Sequence, residues 1–167
     1  IVEPEVLMDG DHSIDVCQSV TERTLACVFD QLYRHNVRLE ATVLKPNMVV
    51  AGNACSQQPD ITEVADRTLE TIRRHVPSAI PGIAFLSGGQ SEEDATAHLN
   101  AMNAQGPQPW ELTFSYGRAL QQSTLQAWKG SPDNVAVAQR TFLHRARMNS
   151  LARTGAYAAD LERELAA

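Results

Sequence analysis

Short apolar runs alternate with longer segments of helical periodicity along the 167 residues of the chain. The apolar runs are typical of buried strands, and the longer segments carry apolar residues three and four positions apart, as amphipathic helices do. Asp60 and Glu63 fit a capping arrangement at the start of one helix. The pattern predicts strands over 1–6, 37–44, 82–86 and 110–114, and helices over about 19–35, 61–75, 91–102 and 117–128, with a last helix from Ser131-Pro-Asp-Asn134 and a helical polar tail to Ala167.

The order of these elements predicts the fold class. Four βα units in succession indicate an α/β fold with a parallel sheet covered by helices. A doubly wound sheet has the same order, but no GxGxxG follows the first predicted strand. A (β/α)8 TIM barrel uses these units and needs roughly 250 residues for eight of them. The 167 residues suit half of a barrel, and the opening Ile1-Val-Glu-Pro4 resembles the middle of a strand. We therefore expect a fragment of a (β/α)8 barrel.

The composition limits the kinds of partner. Hydrophobic residues make up 43% of the chain and charged residues 20%, as in ordinary globular proteins. A net charge of −6 with no basic cluster argues against a nucleic-acid partner. No apolar run approaches the roughly 20 residues of a membrane helix. Cys17, Cys27 and Cys55 form no CxxC pair, which favours free thiols over disulfides or zinc. We expect a cytoplasmic protein with no nucleic-acid or membrane partner.

In a (β/α)8 barrel the active site lies where the strands end, so the residues at the four predicted strand ends are candidates. Lys45 follows the apolar pair Val43-Leu44 and precedes Pro46, in a chain that has only one other lysine, Lys129, among 14 basic residues. An amine removed from water holds its proton less tightly, and an uncharged amine can attack a carbonyl to form a Schiff base. An arginine cannot do this. The alternative is a lysine that pairs with a carboxylate at the strand end, and position alone does not separate the two.

Glu3 and Glu5 lie two residues apart on the first predicted strand and therefore face the same side. Two close carboxylates repel, so one can hold a proton and act as a donor while the other stays ionised beside a lysine. The alternative is a pair of glutamates on a solvent-exposed face. The apolar neighbours Ile1, Val2 and Val6 make a fully solvated face less favourable.

Two glycine-containing segments predict an anion site. Ser87-Gly88-Gly89 follows the third predicted strand, and Ser115-Tyr-Gly117-Arg118 follows the fourth. Glycines between a strand and a helix let backbone N–H groups approach an anion, and arginine can bind a phosphate through two N–H groups. Each segment alone is equally well explained as a tight turn. The two together favour phosphate.

Other polar residues give weaker signals. The segment Asp9 to His12 contains two aspartates and a histidine, but no further ligands lie nearby, which favours a polar turn over a metal site. We expect no metal. His35, His75, His98 and His144 lie in predicted helices, where we expect them at the surface or at helix ends, and we assign the cysteines no catalytic role.

Five segments carry a resemblance to a known family. They are IVEPE at 1–5, DGDH at 9–12, VLKPNMV at 43–49, FLSGGQSEE at 85–93 and LTFSYGRALQ at 112–121. Together they resemble class I fructose-bisphosphate aldolase, and the likeness runs from residue 1 to about 152.

The resemblance implies a fold, a reaction and a set of site residues. The fold is a single (β/α)8 TIM-barrel domain of which residues 1–167 are the C-terminal half, with strands 5–8 and the C-terminal helices. The reaction is reversible cleavage of fructose bisphosphate to dihydroxyacetone phosphate and glyceraldehyde 3-phosphate, without metal or cofactor, in a homotetramer. Lys45 matches the Schiff-base lysine, Glu3 the acid/base glutamate and Glu5 the glutamate that pairs with the lysine. The residues that match the phosphate sites are Ser87, Gly88, Ser115, Gly117 and Arg118.

The chain also departs from the family pattern. The family carries an aspartate and further lysines on four earlier strands, so we expect the 167 residues alone to be inactive and to need the missing N-terminal half. The family chain ends in a tail that closes with tyrosine, whereas this sequence ends Leu161-Glu-Arg-Glu-Leu-Ala-Ala167. Two other interpretations stay open: another Schiff-base lyase acting on a phosphosugar, and a non-catalytic half-barrel that binds phosphosugars.

Overall fold

Three short parallel strands form the sheet. In the computed structural model, which describes residues 1–166, these are β1 (Val43–Leu44), β2 (Gly82–Phe85) and β3 (Glu111–Phe114). They lie side by side in the order in which they occur along the chain. Strands β2 and β3 confirm the predicted strands over 82–86 and 110–114 to within one residue at an end.

The first two predicted strands were too long. Of residues 1–6, only Val2 pairs with the sheet, through a single parallel bridge to Leu44. The ladder does not continue beyond Val2, because Pro4, two residues later, has no N–H group to donate the next hydrogen bond. Residues 37–41 were predicted as strand but contain a 3₁₀ turn, Leu39–Ala41, which Thr42 closes by donating its N–H to the Leu39 carbonyl at 3.0 Å.

The helices agree more closely with the sequence pattern. They are α1 (Ile14–Arg34), α2 (Ile61–His75), α3 (Glu92–Ala104), α4 (Arg118–Trp128) and α5 (Val135–Ala152), with 3₁₀ segments at Pro132–Asn134 and Ala159–Ala166. Both ends of α2 were predicted, and the Asp60 carboxylate accepts a hydrogen bond from the Glu63 N–H at 2.8 Å. Helix α1 begins earlier than predicted because Ser13 accepts from the Val16 N–H and caps it.

The sheet is covered on one face only. Leu44, Ile83 and Leu112 lie in register across the three strands and are at most 2% exposed, because the helices pack on this face. The opposite face includes Val43, which is 37% exposed, and Thr113, which is only partly buried. A doubly wound sheet would bury both faces, so this arrangement fits a piece of barrel wall instead.

Candidate active site

The register of the sheet brings Glu3 next to Lys45. The Val2 N–H donates to the Val43 carbonyl at 2.9 Å, and the Lys45 N–H donates to the Val2 carbonyl at 2.7 Å. Residues Glu3 and Lys45 therefore project from neighbouring segments on the open face of the sheet. The Lys45 Nζ donates to the Glu3 Oε1 at 2.7 Å. The lysine side chain is 20% exposed and the glutamate 48%, so a small molecule can reach the pair.

Glu5 lies near the glycine turn instead of the lysine. The resemblance assigns Glu5 as the partner of Lys45, but in the described residues Lys45 forms its ion pair with Glu3. The Glu5 Oε1 lies 4.0 Å from the position that a Cβ would take at Gly88. The expected pairing is therefore corrected to Glu3, because the bridge at Val2 sets the register that places Glu3 opposite the lysine.

Asn47 holds this arrangement together and was not among the site residues predicted from the sequence. Its buried amide oxygen accepts from the Val6 N–H at 3.0 Å, and its amide nitrogen donates to Thr21 Oγ1 at 3.1 Å and to the Met48 carbonyl at 3.0 Å. The amide thus ties the segment with the two glutamates to the end of β1 and to α1. An asparagine within the apolar run VLKPNMV was a usable signal, because a buried amide needs several partners.

The segment Ser87-Gly88-Gly89, called the glycine turn below, has the backbone that its glycines favour. Gly88 has a φ of 57° and Gly89 of 95°, in the left-handed region that strains other residues. The N–H of Gln90 donates to the Ser87 carbonyl at 2.9 Å and closes the turn. A Cβ at Gly89 would lie only 3.2 Å from the Met8 sulfur, so the chain also packs too closely there for a larger residue.

Through the side chain of Arg118, the second predicted anion segment, residues 115–118, lies next to the glycine turn. One of its guanidinium nitrogens, Nη2, lies 3.7 Å from the position of a Cβ at Gly89. Arg118 is the first residue of α4, and the N-cap residue before it, Gly117, has no side chain to cap the helix. The first N–H groups of a helix lack partners within it and favour negative charge. Ser115, Gly117 and Arg118 are all exposed. This helix start and the glycine turn form one open corner, called the electropositive corner below for its arginine and its helix N–H groups, with the Glu5 carboxylate at its edge beside Gly88.

The whole chain, residues 1–167, matches the glycolytic family of class-I fructose-bisphosphate aldolases. The chain belongs to this family.

Individual relatives agree with the family match. The chain is 55% identical over 157 residues to a fructose-bisphosphate aldolase of Plasmodium falciparum, covering 94% of this chain and 43% of that protein. It is 57% identical over 158 residues to the fructose-bisphosphate aldolase B of Gallus gallus, again 94% of this chain and 43% of the relative. The chain therefore spans less than half the length of these relatives.

A solved structure gives the same result for the fold. It is a ternary co-crystal structure of the Plasmodium falciparum aldolase in complex with TRAP and a small-molecule inhibitor. The superposition has a TM-score of 0.91 at 54% identity and covers 93% of this chain and 45% of the other. The chain is thus an α/β piece of an aldolase barrel, as the sequence pattern predicted in outline.

The segment that contains Asp9 and Asp11 forms a polar turn. Carbonyls of this segment accept from the 52–54 loop: Gly52 N–H to His12 at 2.9 Å, Asn53 to Met8 at 2.8 Å and Ala54 to Gly10 at 2.8 Å. A Cβ at Gly52 would lie 2.4 Å from the Gly10 carbonyl oxygen, so only glycine fits. Among the described side chains, those of residues 1–163, no group of three or more acidic, histidine or cysteine residues is arranged to hold a metal ion. No helix of the described part of the chain is long and apolar enough to cross a membrane.

Two of the four helix histidines are not at the surface. His35 is exposed and follows α1, and His75 ends α2, both as expected. His98 is only 8% exposed and His144 has a side chain that is 9% exposed, so the prediction was wrong for these two. Each ring is buried against a polar partner that the sequence did not reveal: Gln90 Oε1 at 2.6 Å for His98 and Glu162 Oε2 at 2.8 Å for His144.

Proposed function

We propose that residues 1–167 are the C-terminal half of a (β/α)8 aldolase domain, with strands 5–8, and that the complete protein cleaves fructose bisphosphate reversibly to dihydroxyacetone phosphate and glyceraldehyde 3-phosphate. Family membership and the sheet covered on one face support the fold. The observation that carries the reaction is the Lys45–Glu3 pair, with 2.7 Å between Nζ and Oε1 on the open face. It places an amine and a proton acceptor together at a strand end, where barrel enzymes react.

In this proposal Lys45 is the nucleophile. Glu3 takes a proton from the ammonium, and the free amine adds to the carbonyl carbon of the ketose to give a carbinolamine. Glu3 then returns a proton to the departing hydroxyl, which leaves as water, and a positively charged imine remains on Lys45. The contact of 2.7 Å is within the reach that general acid–base catalysis requires.

Bond cleavage follows from the charge on the imine nitrogen. A base removes the proton of the C4 hydroxyl, the C3–C4 electrons move toward the nitrogen, and the aldehyde product leaves. The remaining enamine takes up a proton at C3, and water hydrolyses the imine to release dihydroxyacetone phosphate and free Lys45. We assign Glu5 as the second acid/base group of the site, because its Oε1 lies 4.0 Å from the Cβ position of Gly88 in the glycine turn, where we place a substrate phosphate.

The substrate phosphates bind at the electropositive corner. Ser87, Gly88, Ser115 and Gly117 offer hydroxyl and backbone donors, and Arg118 adds a fixed positive charge within 3.7 Å of the Gly89 Cβ position. A helix N-terminus, glycine N–H groups and an arginine together are typical of phosphate sites. The proposed partners are therefore phosphorylated sugars, and the proposed assembly is a cytoplasmic homotetramer of complete chains.

The test compares the complete protein with residues 1–167 alone in a coupled assay for fructose bisphosphate cleavage. The complete protein is expected to turn over the substrate. The chain alone is expected to be inactive, because the open face of its sheet then meets water and unpaired strand edges promote association. Efficient cleavage by a monomeric 167-residue chain would contradict the half-barrel assignment. A panel of other phosphosugars separates a different Schiff-base lyase, and binding without turnover would identify a phosphosugar-binding protein.

A further inference from the structure

We propose that His98 is a positioning residue that holds the glycine turn in its anion-binding shape by donating a hydrogen bond to Gln90. His98 lies on α3, outside the five segments that carry the resemblance to the aldolase family, and it is not one of the proposed site residues. The inference rests on the proposed role of Ser87 and Gly88 in phosphate binding. It concerns what keeps that turn in place before a phosphate arrives.

Gln90 binds the turn through two donors. Its backbone N–H donates to the Ser87 carbonyl at 2.9 Å, and its side-chain Nε2 donates to the same oxygen at 3.1 Å. A carbonyl oxygen only accepts hydrogen bonds, so the amide nitrogen of Gln90 must face Ser87. The amide oxygen then faces the other way, toward the His98 ring, with 2.6 Å between Oε1 and Nδ1.

This orientation fixes the position of the hydrogen on His98. The Gln90 Oε1 only accepts, so Nδ1 of His98 must be the donor and carry a hydrogen. Burial lowers the pKa of His98 to about 4, although the nearby Asp94 carboxylate opposes the shift. The ring is therefore neutral at physiological pH and has a single N–H, at Nδ1.

The anchor matters because the turn has little regular structure of its own. Gly88 and Gly89 have φ values of 57° and 95° and lie outside every strand and helix. Glycines lose much conformational freedom when ordered. Helix α3, in contrast, is a rigid support, because Ala95, Leu99 and Met102 are fully buried at 0% exposure. The hydrogen bond from His98 thus connects the turn to the core and prepares its N–H groups for an anion.

His98 acts at a distance from the proposed substrate groups. Its ring lines a cavity of about 750 Å³ between α2 and α3, to which Gln90 and Gly89 also contribute. Lys45, Glu3 and Arg118 do not line this cavity. The contact of the ring with the glycine turn described above runs through Gln90.

The kinetic test uses paired variants of the complete protein. His98→Leu removes the hydrogen-bond donor and leaves an apolar side chain of similar size. His98→Asn retains a donor, because the asparagine amide nitrogen lies close to the position of Nδ1. His98→Leu should raise the KM for fructose bisphosphate roughly tenfold, as expected for one lost hydrogen bond, and change kcat less than twofold. His98→Asn should stay within about twofold of the wild-type KM. An equal KM for the wild type and both variants, or an equal rise of KM in both variants, would overturn the inference.

A second variant keeps the test decisive if His98→Leu fails to fold. Gln90→Leu removes the acceptor of the same contact and should raise the same KM. The double variant should be no more impaired than Gln90→Leu alone, because Gln90→Leu already removes the contact with His98 as well as the side-chain hydrogen bond to Ser87. If the rise of KM in the double variant equalled the product of the two single rises, His98 and Gln90 would act independently, which would contradict the inference.

The tautomer gives a readout that does not depend on activity. A neutron crystal structure of the complete protein should show deuterium on Nδ1 of His98 and none on Nε2. Deuterium on Nε2 alone would overturn the inference. Arg118→Ala separates this inference from the proposed phosphate site. If Arg118→Ala raises KM and His98→Leu does not, only the positioning role of His98 is wrong. If neither variant changes KM, the proposed phosphate site is wrong as well.

Discussion

The Nζ of Lys45 donates to the Oε1 of Glu3 at 2.7 Å, across the parallel bridge that joins Val2 to Leu44. The sequence left two interpretations of the lysine open: a Schiff-base nucleophile and a structural partner of a carboxylate. The pair satisfies the second without excluding the first, because a nucleophilic amine also needs a group that takes its proton. Chemical tests on these two residues therefore separate the interpretations.

Glu3→Gln tests the proton-transfer role. The amide keeps the size of the carboxylate and can still contact Lys45, but it cannot accept the ammonium proton. In the complete protein kcat should fall roughly 10²- to 10⁴-fold, the usual contribution of general acid–base catalysis. Glu40→Gln, at an exposed glutamate of the Leu39–Ala41 turn, is the matched control and should leave kcat unchanged. Near-normal turnover in Glu3→Gln would assign the carboxylate a structural role only.

Arg118→Ala tests the phosphate corner. A charge-assisted hydrogen bond contributes about 1.5–3 kcal/mol, so KM for fructose bisphosphate should rise roughly 10- to 150-fold. Arg140→Ala removes an exposed arginine of α5 and serves as the control for net charge. Steady-state kinetics measures both. If the two variants show the same KM, the 115–118 segment is a tight turn and not a phosphate site.

The sequence predicted much of the helical layer, because helix signals are local. Helix α2 was predicted at both ends, since Asp60 caps its start and apolar residues recur at helical spacing to Ile72. The first strand was overestimated because its alternating pattern persists through Pro4, although the sheet pairing ends before it. Whether an extended segment pairs depends on its neighbours in space, which the local pattern does not contain.

The site residues show the same difference between features that the local sequence predicts and features that depend on neighbours in space. The strand-end position of Lys45 and the glycines of the turn were visible in the sequence, because strand ends and glycines have local meaning. The pairing of Lys45 with Glu3 instead of Glu5 depends on the register at Val2, and no residue type encodes that register. His98 was misassigned because a histidine in an amphipathic helix has no local sign of its partner at Gln90.

His98 should make the complete protein less stable in mild acid. Its pKa is about 4 in the folded protein, against an ordinary value of 6.5, so the unfolded chain binds more protons between these values. Stability should therefore fall as the pH drops from about 6.5 toward 4, by up to about 3 kcal/mol from this residue. Urea unfolding at several pH values measures the slope. His98→Asn should show a shallower loss over this window, and identical slopes would mean that the ring is solvated.

Glu162 should anchor the C-terminal 3₁₀ segment. Both of its carboxylate oxygens accept from Arg145 Nη1 at 2.6 Å, and Arg145 is only 4% exposed. Burial raises the pKa of Glu162, but the hydrogen bonds from Arg145 and His144 outweigh it and lower the pKa overall. The carboxylate is therefore ionised at neutral pH, and its contribution is lost as the pH falls through its lowered pKa.

Glu162→Ala leaves the buried Arg145 without a charged partner. The free energy of unfolding should fall by about 3 kcal/mol, at the low end for a broken buried pair because the terminal segment can separate and admit water. Glu63→Ala removes the more distant of the two carboxylates that pair with the more exposed Arg67, at 3.8 Å against 2.9 Å for Asp15, and should cost less than about 1 kcal/mol. Equal losses in the two variants would show that Arg145 is solvated in the complete protein.

The most direct measurement of the central claim is reductive trapping on the complete protein. Dihydroxyacetone phosphate and sodium borohydride are added together, and the modified peptide is identified by mass spectrometry. If Lys45 is the Schiff-base nucleophile, the substrate-derived mass is found on the peptide that contains Lys45, activity is lost in proportion to labelling, and Lys129 stays unmodified. Lys45→Arg should fold, take up no label and lose activity by several orders of magnitude. Label on another lysine, or a Lys45→Arg variant that still cleaves fructose bisphosphate at a near-normal rate, would contradict the account.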